Sequence, residues 1–311
     1  MSVWQLIILA AVGLLAGMTG GMLGIGGSII MIPAMAEILP PDQHLFQAAA
    51  MIVNFFVVVP AVIRHRRAGA IDGRAVTRII PPALVGVIAG VMLSEAPVFS
   101  GHGEAYLRGI FGLFLMAVSV TELWRLTRGV RGGDPDGVSA RTGWLRAGLI
   151  ALPVGLVAGL LGVGGGILAV PLQRRFLGIP IRIAIANSAT MIIATSLVGA
   201  CAKNGAYAVD HGLTARPFIL AAVLIPTAVL GSAIGSRLTH RVPVRILKGA
   251  FLVVMILASI RLLSGAVASK PWTTLVSKPS TGQQLRFVLE STPPQTWTVA
   301  PSINFQLDAR R

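Results

Sequence analysis

Two glycine clusters with the same spacing are the parts of this sequence best suited to binding a charged ligand. Each reads Gly-x-Gly-Gly, then serine or glycine, with a proline five residues later: Gly24, Gly26, Gly27, Ser28 and Pro33, and again Gly162, Gly164, Gly165, Gly166 and Pro171. Glycine permits positive φ angles and lets a ligand approach the backbone closely. Such a turn exposes amide N–H groups, and a helix that follows it adds the positive end of its dipole. The clusters therefore predict an anion site.

Polar side chains inside the apolar stretches suit the same kind of ligand. Asn54 stands alone in one stretch, and a later stretch carries a cluster: Asn187, Ser188, Thr190, Thr195 and Ser196. Serine and threonine in membrane helices usually bond carbonyls of their own helix, whereas asparagine more often lines a cavity or bonds another helix. We expect Asn187 to contribute more than Asn54 to ligand binding, because Asn187 belongs to the cluster. Bonding between helices is the alternative role of the cluster.

The chemistry expected of these groups is anion binding. We expect no ionisable side chain deep inside any span, and a cation carrier or proton pump would normally keep a carboxylate there. The predicted substrate-binding residues are Gly26, Gly27, Ser28, Asn54, Gly164, Gly165, Gly166, Asn187, Ser188 and Thr190. Valine at Gly27 or Gly165 should abolish binding, because it would oppose a positive φ angle and cover the amides.

The composition places these residues in a membrane protein. Of 311 residues, 54% are hydrophobic and only 12% are charged, about half the charged share of a soluble domain. These values exclude a cytosolic enzyme, a disordered protein and a secreted disulfide scaffold. The single cysteine, Cys201, excludes an internal disulfide and a cysteine metal cluster, and we expect no cofactor and no catalytic centre.

Eight stretches lack charged residues and histidine, and they predict an all-α protein that crosses the membrane several times. They cover residues 1–36, 45–63, 79–94, 109–121, 147–173, 183–202, 217–236 and 249–260. The first and fifth are too long for one crossing, and glycines interrupt both. We predict a first membrane repeat at 1–126, a polar cytoplasmic linker at 127–143, a second repeat at 144–266 and a polar, disordered tail at 267–311.

The two repeats are homologous. An offset of 138 residues pairs Gly17 with Gly155 and Gly21 with Gly159, together with the members of the two glycine clusters. These upstream glycines form small-xxx-small patterns, which favour close helix packing.

The distribution of basic residues favours inverted repeats. If all eight stretches cross once, the basic residues before the tail divide 13 to 8 between the two sides. If the first and fifth are re-entrant hairpins, the division is 17 to 4, and only Arg108, Lys203, Arg216 and Arg261 lie outside. Each half then crosses about three times, so the halves are inverted, as in many transporters. Full crossings that bend at the glycines are the alternative. Basic residues in cytoplasmic loops account for the net charge of +15, so we expect no nucleic-acid partner.

The two glycine clusters, the segment NSATMIIATSL and the two-half layout resemble the sulfite exporter TauE/SafE family of membrane permeases over about residues 3–265. The resemblance implies a secondary transporter in the bacterial inner membrane for sulfite, thiosulfate or an organosulfonate. By motif match it assigns Gly26, Gly27, Gly164, Gly165, Asn187 and Ser188 to the pathway. The first half departs from the pattern, because Ala49 and Ala50 stand where the second half has Asn187 and Ser188.

Several features of the function stay open from the sequence. An anion channel of the same architecture is the alternative to a carrier, and a membrane scaffold would explain the packing glycines but not two broken helices. A coupling proton would have acceptors at the span ends in Glu37, Glu95, Glu104 or Glu122. Nothing in the sequence selects one of them, and the oligomeric state is equally open.

Overall fold

The computed structural model describes residues 2–99, 103–127 and 143–238, and residues 249, 252–253, 255–257 and 259–264 of the last helical segment. The chain separates into two units, Met1–Pro271 and Trp272–Arg311. The expected linker, apart from its two end residues, and the expected tail lie outside the described residues. The fold below is that of the first unit.

All regular structure in the described residues is helical, as the sequence predicts. The described residues before 239 form nine α-helices: α1 Val3–Leu23, α2 Ser28–Ile38, α3 Gln43–Arg67, α4 Gly73–Ser94, α5 Glu104–Thr127, α6 Trp144–Leu161, α7 Gly166–Leu177, α8 Ile181–His211 and α9 Arg216–Leu238. A further apolar helical segment covers Met255–Ser264. Seven of these helices are long and apolar enough to cross a membrane, namely α1, α3, α4, α5, α6, α8 and α9.

Glycines break the two over-long stretches where the sequence predicts it. Helix α1 ends at Gly24, whose φ of 64° is left-handed, and α2 begins at Ser28. In the second half, α6 ends at Gly162 with φ 73°, and α7 begins at Gly166. Each break joins a membrane-length helix to a short one, so each half opens with a helix–turn–half-helix unit.

The upstream glycines pack helices across the two halves. A β-carbon at Gly17 of α1 would overlap the carbonyl of Ala228 in α9, and one at Gly155 of α6 would overlap the carbonyl of Ala83 in α4. In each pair the residue numbers of the contacts increase in the same direction on both helices. For example, Gly159 of α6 contacts α4 one turn after the contact of Gly155. Helices α1 and α9 therefore run in the same direction, as do α4 and α6. The packing role predicted for these glycines is confirmed.

Replacing Gly155 with alanine should lower the stability of the protein, because the methyl group would force α6 away from the backbone of α4. We expect a loss of about 1–3 kcal/mol, as for other overpacked interfaces. Gly148 lies on the same helix with no heavy atom within 4 Å of its β-carbon position, so Gly148→Ala is the matched control. That variant should be neutral or slightly more stable, since alanine favours a helix. Equal melting temperatures in detergent for the two variants would contradict the packing role.

Polar contacts collect at two separate ends of the helix bundle. At one end, which we call the Glu95 end, Lys203 lies 2.7 Å from Glu95 and the Tyr207 hydroxyl donates to Asp42 at 2.8 Å. The Gln5 side chain there donates to the carbonyl of Ile38 at 3.1 Å, so the start of α1 lies beside the end of α2.

The opposite end of the bundle, which we call the Asp72 end, is held by contacts between other helices. The amide of Asp72 donates to Asn187 at 3.0 Å, and Arg64 donates to Ser236 at 2.8 Å. These bonds join the loop between α3 and α4 to the first turns of α8, and the end of α3 to the end of α9. The two sets of contacts fix which helix termini share an end.

Candidate functional site

The two glycine turns lie against each other in the interior of the bundle. A β-carbon at Gly166 would lie 2.7 Å from the Cα of Ile25 and 2.9 Å from the carbonyl oxygen of Gly24. The Ser188 hydroxyl faces the carbonyls of both turns, at 3.2 Å from Gly24 and 3.4 Å from Gly166. Every residue of 24–28 and 162–166 is buried. We call these residues, with Asn54, Ser188, Thr195 and Ser196, the turn junction.

Asn54 occupies the first turn. Its Oδ1 accepts hydrogen bonds from the amides of Gly27, at 2.9 Å, and Ser28, at 3.1 Å. Its Nδ2 donates to the Ser28 hydroxyl at 2.9 Å. The amides at the start of α2, which the sequence assigns to an anion, are therefore bound by a neutral side chain of the protein.

The second turn differs because, among the described residues, no side chain accepts a hydrogen bond from the first amides of α7. The cap residue of that helix, Gly165, has a φ of 82°. The Ser196 Oγ lies 3.4 Å from the β-carbon position of Gly164 and is fully buried, and among the described residues it has no hydrogen-bond partner. The Nδ2 of Asn54 lies 3.1 Å from the same position. Two donors thus lie beside the second turn: the Ser196 hydroxyl, which is unpaired among the described residues, and Asn54 Nδ2, one hydrogen of which already binds Ser28.

The backbone corrects one expectation at the first turn. Gly27 has a φ of −98°, so the expected positive φ angle is wrong for this residue, while the effect of valine there on binding stays a prediction. The positive angles of the first turn belong to Gly24 and Gly26, at 64° and 80°. In the second turn Gly165 does adopt a positive φ.

The structure brings most of the predicted residues together and leaves two apart. Gly26, Gly27, Ser28, Asn54, Gly164, Gly165, Gly166 and Ser188 all belong to the turn junction. Thr190 bonds the carbonyl of Ala186 in its own helix at 2.9 Å, and Asn187 binds the Asp72 amide at the Asp72 end. The prediction that Asn187 contributes more than Asn54 to ligand binding assumed that Asn54 has no polar neighbours. This assumption is wrong, because Asn54 makes three hydrogen bonds at the first turn.

Comparison with known proteins identifies the family. A model of the sulfite exporter TauE/SafE family matches residues 9–262. The chain belongs to this family. No solved structure gives a significant match.

Relatives of this TauE/SafE family member are named as transporters. The probable membrane transporter protein MamO of Paramagnetospirillum magneticum is 30% identical over 85% of this chain and 45% of its own length. MamO of Magnetospirillum gryphiswaldense is 29% identical with the same coverage. The chain thus spans about half the length of these two relatives. The probable membrane transporter protein YunE of Bacillus subtilis is 23% identical over 85% of this chain and 99% of its own length.

Two polar stripes of this TauE/SafE family member add three residues that the sequence did not predict, Gln43, Gln47 and Lys203. Gln43, Gln47 and Asn54 share one face of α3 and are fully buried. Gln47 donates to the carbonyl of Leu160 at 3.2 Å and packs against Gly162, at the edge of the turn junction. Ser188, Thr195, Ser196 and Lys203 form the facing stripe on α8. The spacing of the glutamines and Asn54 at helical period was the available signal.

Lys203 is an ionisable residue inside a membrane-length helix, although the sequence placed it beyond the end of the sixth apolar stretch. Helix α8 continues to His211, so Lys203 lies within it, and its side chain is 1% exposed. Its Nζ lies 2.7 Å from Glu95 Oε1 and 3.3 Å from His44 Nδ1. His44 in turn lies 3.2 Å from Glu95, so three ionisable side chains form one buried cluster at the Glu95 end.

Glu95 follows α4 and remains ionised in this cluster. Burial alone would raise the pKa of its carboxyl group, but the hydrogen bond from His44 and the charge and hydrogen bond of Lys203 outweigh it and lower the pKa to about 2. The sequence offered Glu95 as one acceptor for a coupling proton. A carboxyl group with this pKa does not take up a proton near neutral pH.

Proposed function

We propose that this TauE/SafE family member is a secondary transporter that moves a small sulfur-containing anion, such as sulfite, thiosulfate or an organosulfonate, across the bacterial inner membrane. The substrate class follows the family description, and the donor groups of the turn junction suit an oxyanion. One observation carries the proposal: among the described residues, the buried Ser196 hydroxyl has no hydrogen-bond partner, and no side chain accepts from the first amides of the neighbouring helix α7. An anion placed there would accept from the hydroxyl, the Asn54 amide and the helix amides together.

Alternating access fits the burial of this site. The residues of both turns are buried, so an anion can reach the α7 amides only after the turns separate. The turns belong to different halves and meet at Gly24, Ile25 and Gly166. A rocking motion of one half against the other would open the contact to one side at a time.

The contacts at the two ends of the bundle support inverted halves with re-entrant hairpins. Eight full crossings would put Glu95 and Lys203 on opposite sides of the membrane, although their side-chain atoms are 2.7 Å apart. The same topology would separate Arg64 from Ser236, which are 2.8 Å apart. The bond between Gln5 and Ile38 favours a first hairpin that returns to its starting side. Helices α1 and α6, which correspond in the repeat, would then run in opposite directions.

Cysteine labelling tests this topology. We expect a cysteine at Ser2 to react from outside the cell and a cysteine at Ala68, in the loop after α3, to react only from the cytoplasm. Both positions are exposed, and exposed Cys201 is first replaced by serine in both variants. A first segment that crossed fully would place Ser2 and Ala68 on one side, so labelling of both from the same side would contradict the re-entrant hairpin.

Transport by purified protein in liposomes tests the proposed function. We expect saturable uptake of labelled sulfite or thiosulfate, and counterflow driven by unlabelled anion on the opposite side. Acetate and taurine serve as carboxylate and zwitterionic comparisons. Fast, voltage-driven flux without counterflow would favour the channel, and absence of binding and flux for every sulfur anion would contradict the substrate class.

A further inference from the structure

The cluster of Lys203, Glu95 and His44 lies at the end of the polar stripes that lead from the turn junction. The lysine is on α8, the glutamate follows α4 and the histidine is in the first turn of α3. All three side chains are at least four-fifths buried. Such a buried cation beside a polar path is well placed to bind an anion, but in this structure Glu95 holds it.

Unpaired amide groups continue this path toward the turn junction. Gln43 precedes His44, and both its side-chain amide atoms are buried without a hydrogen-bond partner in the described residues. Gln47 lies one turn further along α3, and its Oε1 is likewise unpaired within the same residues, while its Nε2 bonds Leu160 beside the second turn. Unpaired buried polar groups are rare and costly, so they point to a ligand that passes or binds there.

The two nitrogens of His44 have different partners. Nε2 lies 3.2 Å from the carbonyl oxygen of Phe99, which can only accept, so Nε2 carries a hydrogen. Nδ1 faces both Glu95 Oε1, at 3.2 Å, and Lys203 Nζ, at 3.3 Å. In neutral histidine Nδ1 accepts a hydrogen bond from Lys203, and in protonated histidine it donates one to Glu95. One proton therefore decides which neighbour His44 binds.

We propose that Lys203 is an anion-binding residue of the transport pathway, and that a proton on His44 releases Lys203 from Glu95 to take the anion. The proton comes from the solvent at the Glu95 end and binds Nδ1. Glu95 Oε1 then accepts from protonated His44 as well as from Lys203, and the positive charge of His44 weakens the attraction between Glu95 and Lys203, so that the anion can accept from Lys203 Nζ. The proton adds one positive charge to the cluster and a monovalent anion adds one negative charge, so the net charge of the cluster does not change. This inference rests on the proposed function and gives it a coupling ion.

The other charged groups near the cluster do not provide the same exchange. Asp42 accepts from the Tyr207 hydroxyl at 2.8 Å, and Glu104 accepts from the Gln43 amide at 3.0 Å. Arg216, at the start of α9, forms a hydrogen bond and a charge interaction with the Tyr207 hydroxyl. His44 is the group that contacts both Lys203 and Glu95, and histidine is the side-chain type whose ordinary pKa lies near neutral pH.

Anion binding to purified protein tests the proposal, because two substitutions should change the affinity in opposite directions. Thiosulfate and methanesulfonate are the probes, because their charges are constant between about pH 5 and about pH 8. We expect Lys203→Gln to weaken binding by about 10- to 100-fold, as for loss of a hydrogen bond from a charged donor. Glu95→Gln should strengthen binding near pH 8, because it removes the competing carboxylate. Arg216→Gln, which removes an exposed cation at the same end, should change affinity by less than about threefold.

The pH dependence supplies an independent readout. Wild-type affinity should rise by about tenfold from about pH 8 to about pH 6, and by no more than about 100-fold, since at most one proton is bound per anion. His44→Gln should bind the anion with little pH dependence. All affinities are taken per folded molecule, with melting temperatures recorded for each variant.

Each result separates this inference from the proposed function. Wild-type protein that binds none of the sulfur anions contradicts the proposed function and this inference with it. Wild-type binding that Lys203→Gln retains in full contradicts the inference alone. Loss of affinity in both Lys203→Gln and Glu95→Gln would mark the pair as a structural ion pair and would also overturn the inference.

Discussion

Asn54→Asp will abolish anion binding without unfolding the protein. The carboxylate retains acceptors for the amides of Gly27 and Ser28, and a negative charge at the start of α2 is favoured by the helix dipole. The same charge would lie between the two turns, beside the β-carbon position of Gly164. Two unit charges about 5 Å apart repel by about 3 kcal/mol at an effective dielectric constant of about 20, which is about 100-fold or more in affinity.

Asn187→Asp is the matched control for this charge. Asn187 is equally buried, but it bonds the Asp72 amide at the Asp72 end and lies outside the turn junction. We expect its affinity for thiosulfate to fall by less than about fivefold, with the melting temperature measured in parallel. A larger loss in Asn187→Asp than in Asn54→Asp would restore the ranking that the sequence alone predicts.

Gly164→Ala should weaken anion binding by about tenfold or more. The new methyl carbon would lie 3.1 Å from Asn54 Nδ2, 3.3 Å from Ile192 Cγ2 and 3.4 Å from Ser196 Oγ, in the space where the anion is proposed to bind. Alanine at the φ of 72° also costs about 1–2 kcal/mol of backbone strain. The strain lowers stability, whereas the blocked space lowers affinity.

Gly69→Ala separates these two effects. Gly69 has a similar φ of 64°, and no heavy atom lies within 4 Å of its β-carbon position. This variant should lose similar stability in a thermal melt and retain wild-type affinity for thiosulfate. If both variants bind normally, or if both lose binding only in proportion to unfolding, the second turn is not the anion site.

The glycine clusters and the apolar stretches were enough to predict the helices and the two breaks. Glycine spacing and hydropathy are local properties, and the lipid requires every crossing segment to satisfy its backbone as a helix. The same local signals predicted the packing of Gly17 and Gly155, although not that their partners Ala228 and Ala83 lie in the opposite halves.

The site was only partly predictable because it depends on which helices meet. Asn54 looks solitary along the chain, but its partners Gly27 and Ser28 precede it by a whole helix. Lys203 lies just past an apolar stretch, and it becomes a buried residue only because α8 extends beyond that stretch and brings it to Glu95. Contacts between distant segments determine both assignments, and no local pattern encodes them.

Each half packs one of its helices against a helix of the other half, and this constrains the order in which the chain can fold. Helix α1 enters the membrane with the small-residue face of Gly13, Gly17 and Gly21 uncovered, and its partner α9 begins only at Arg216. Until α9 has been synthesised, that face can pack against a helix of another protein, such as an insertase or a second nascent chain. A product truncated after α5 would lack the helix that covers this face. Two halves translated separately should still associate, because each supplies the helix on which the other packs.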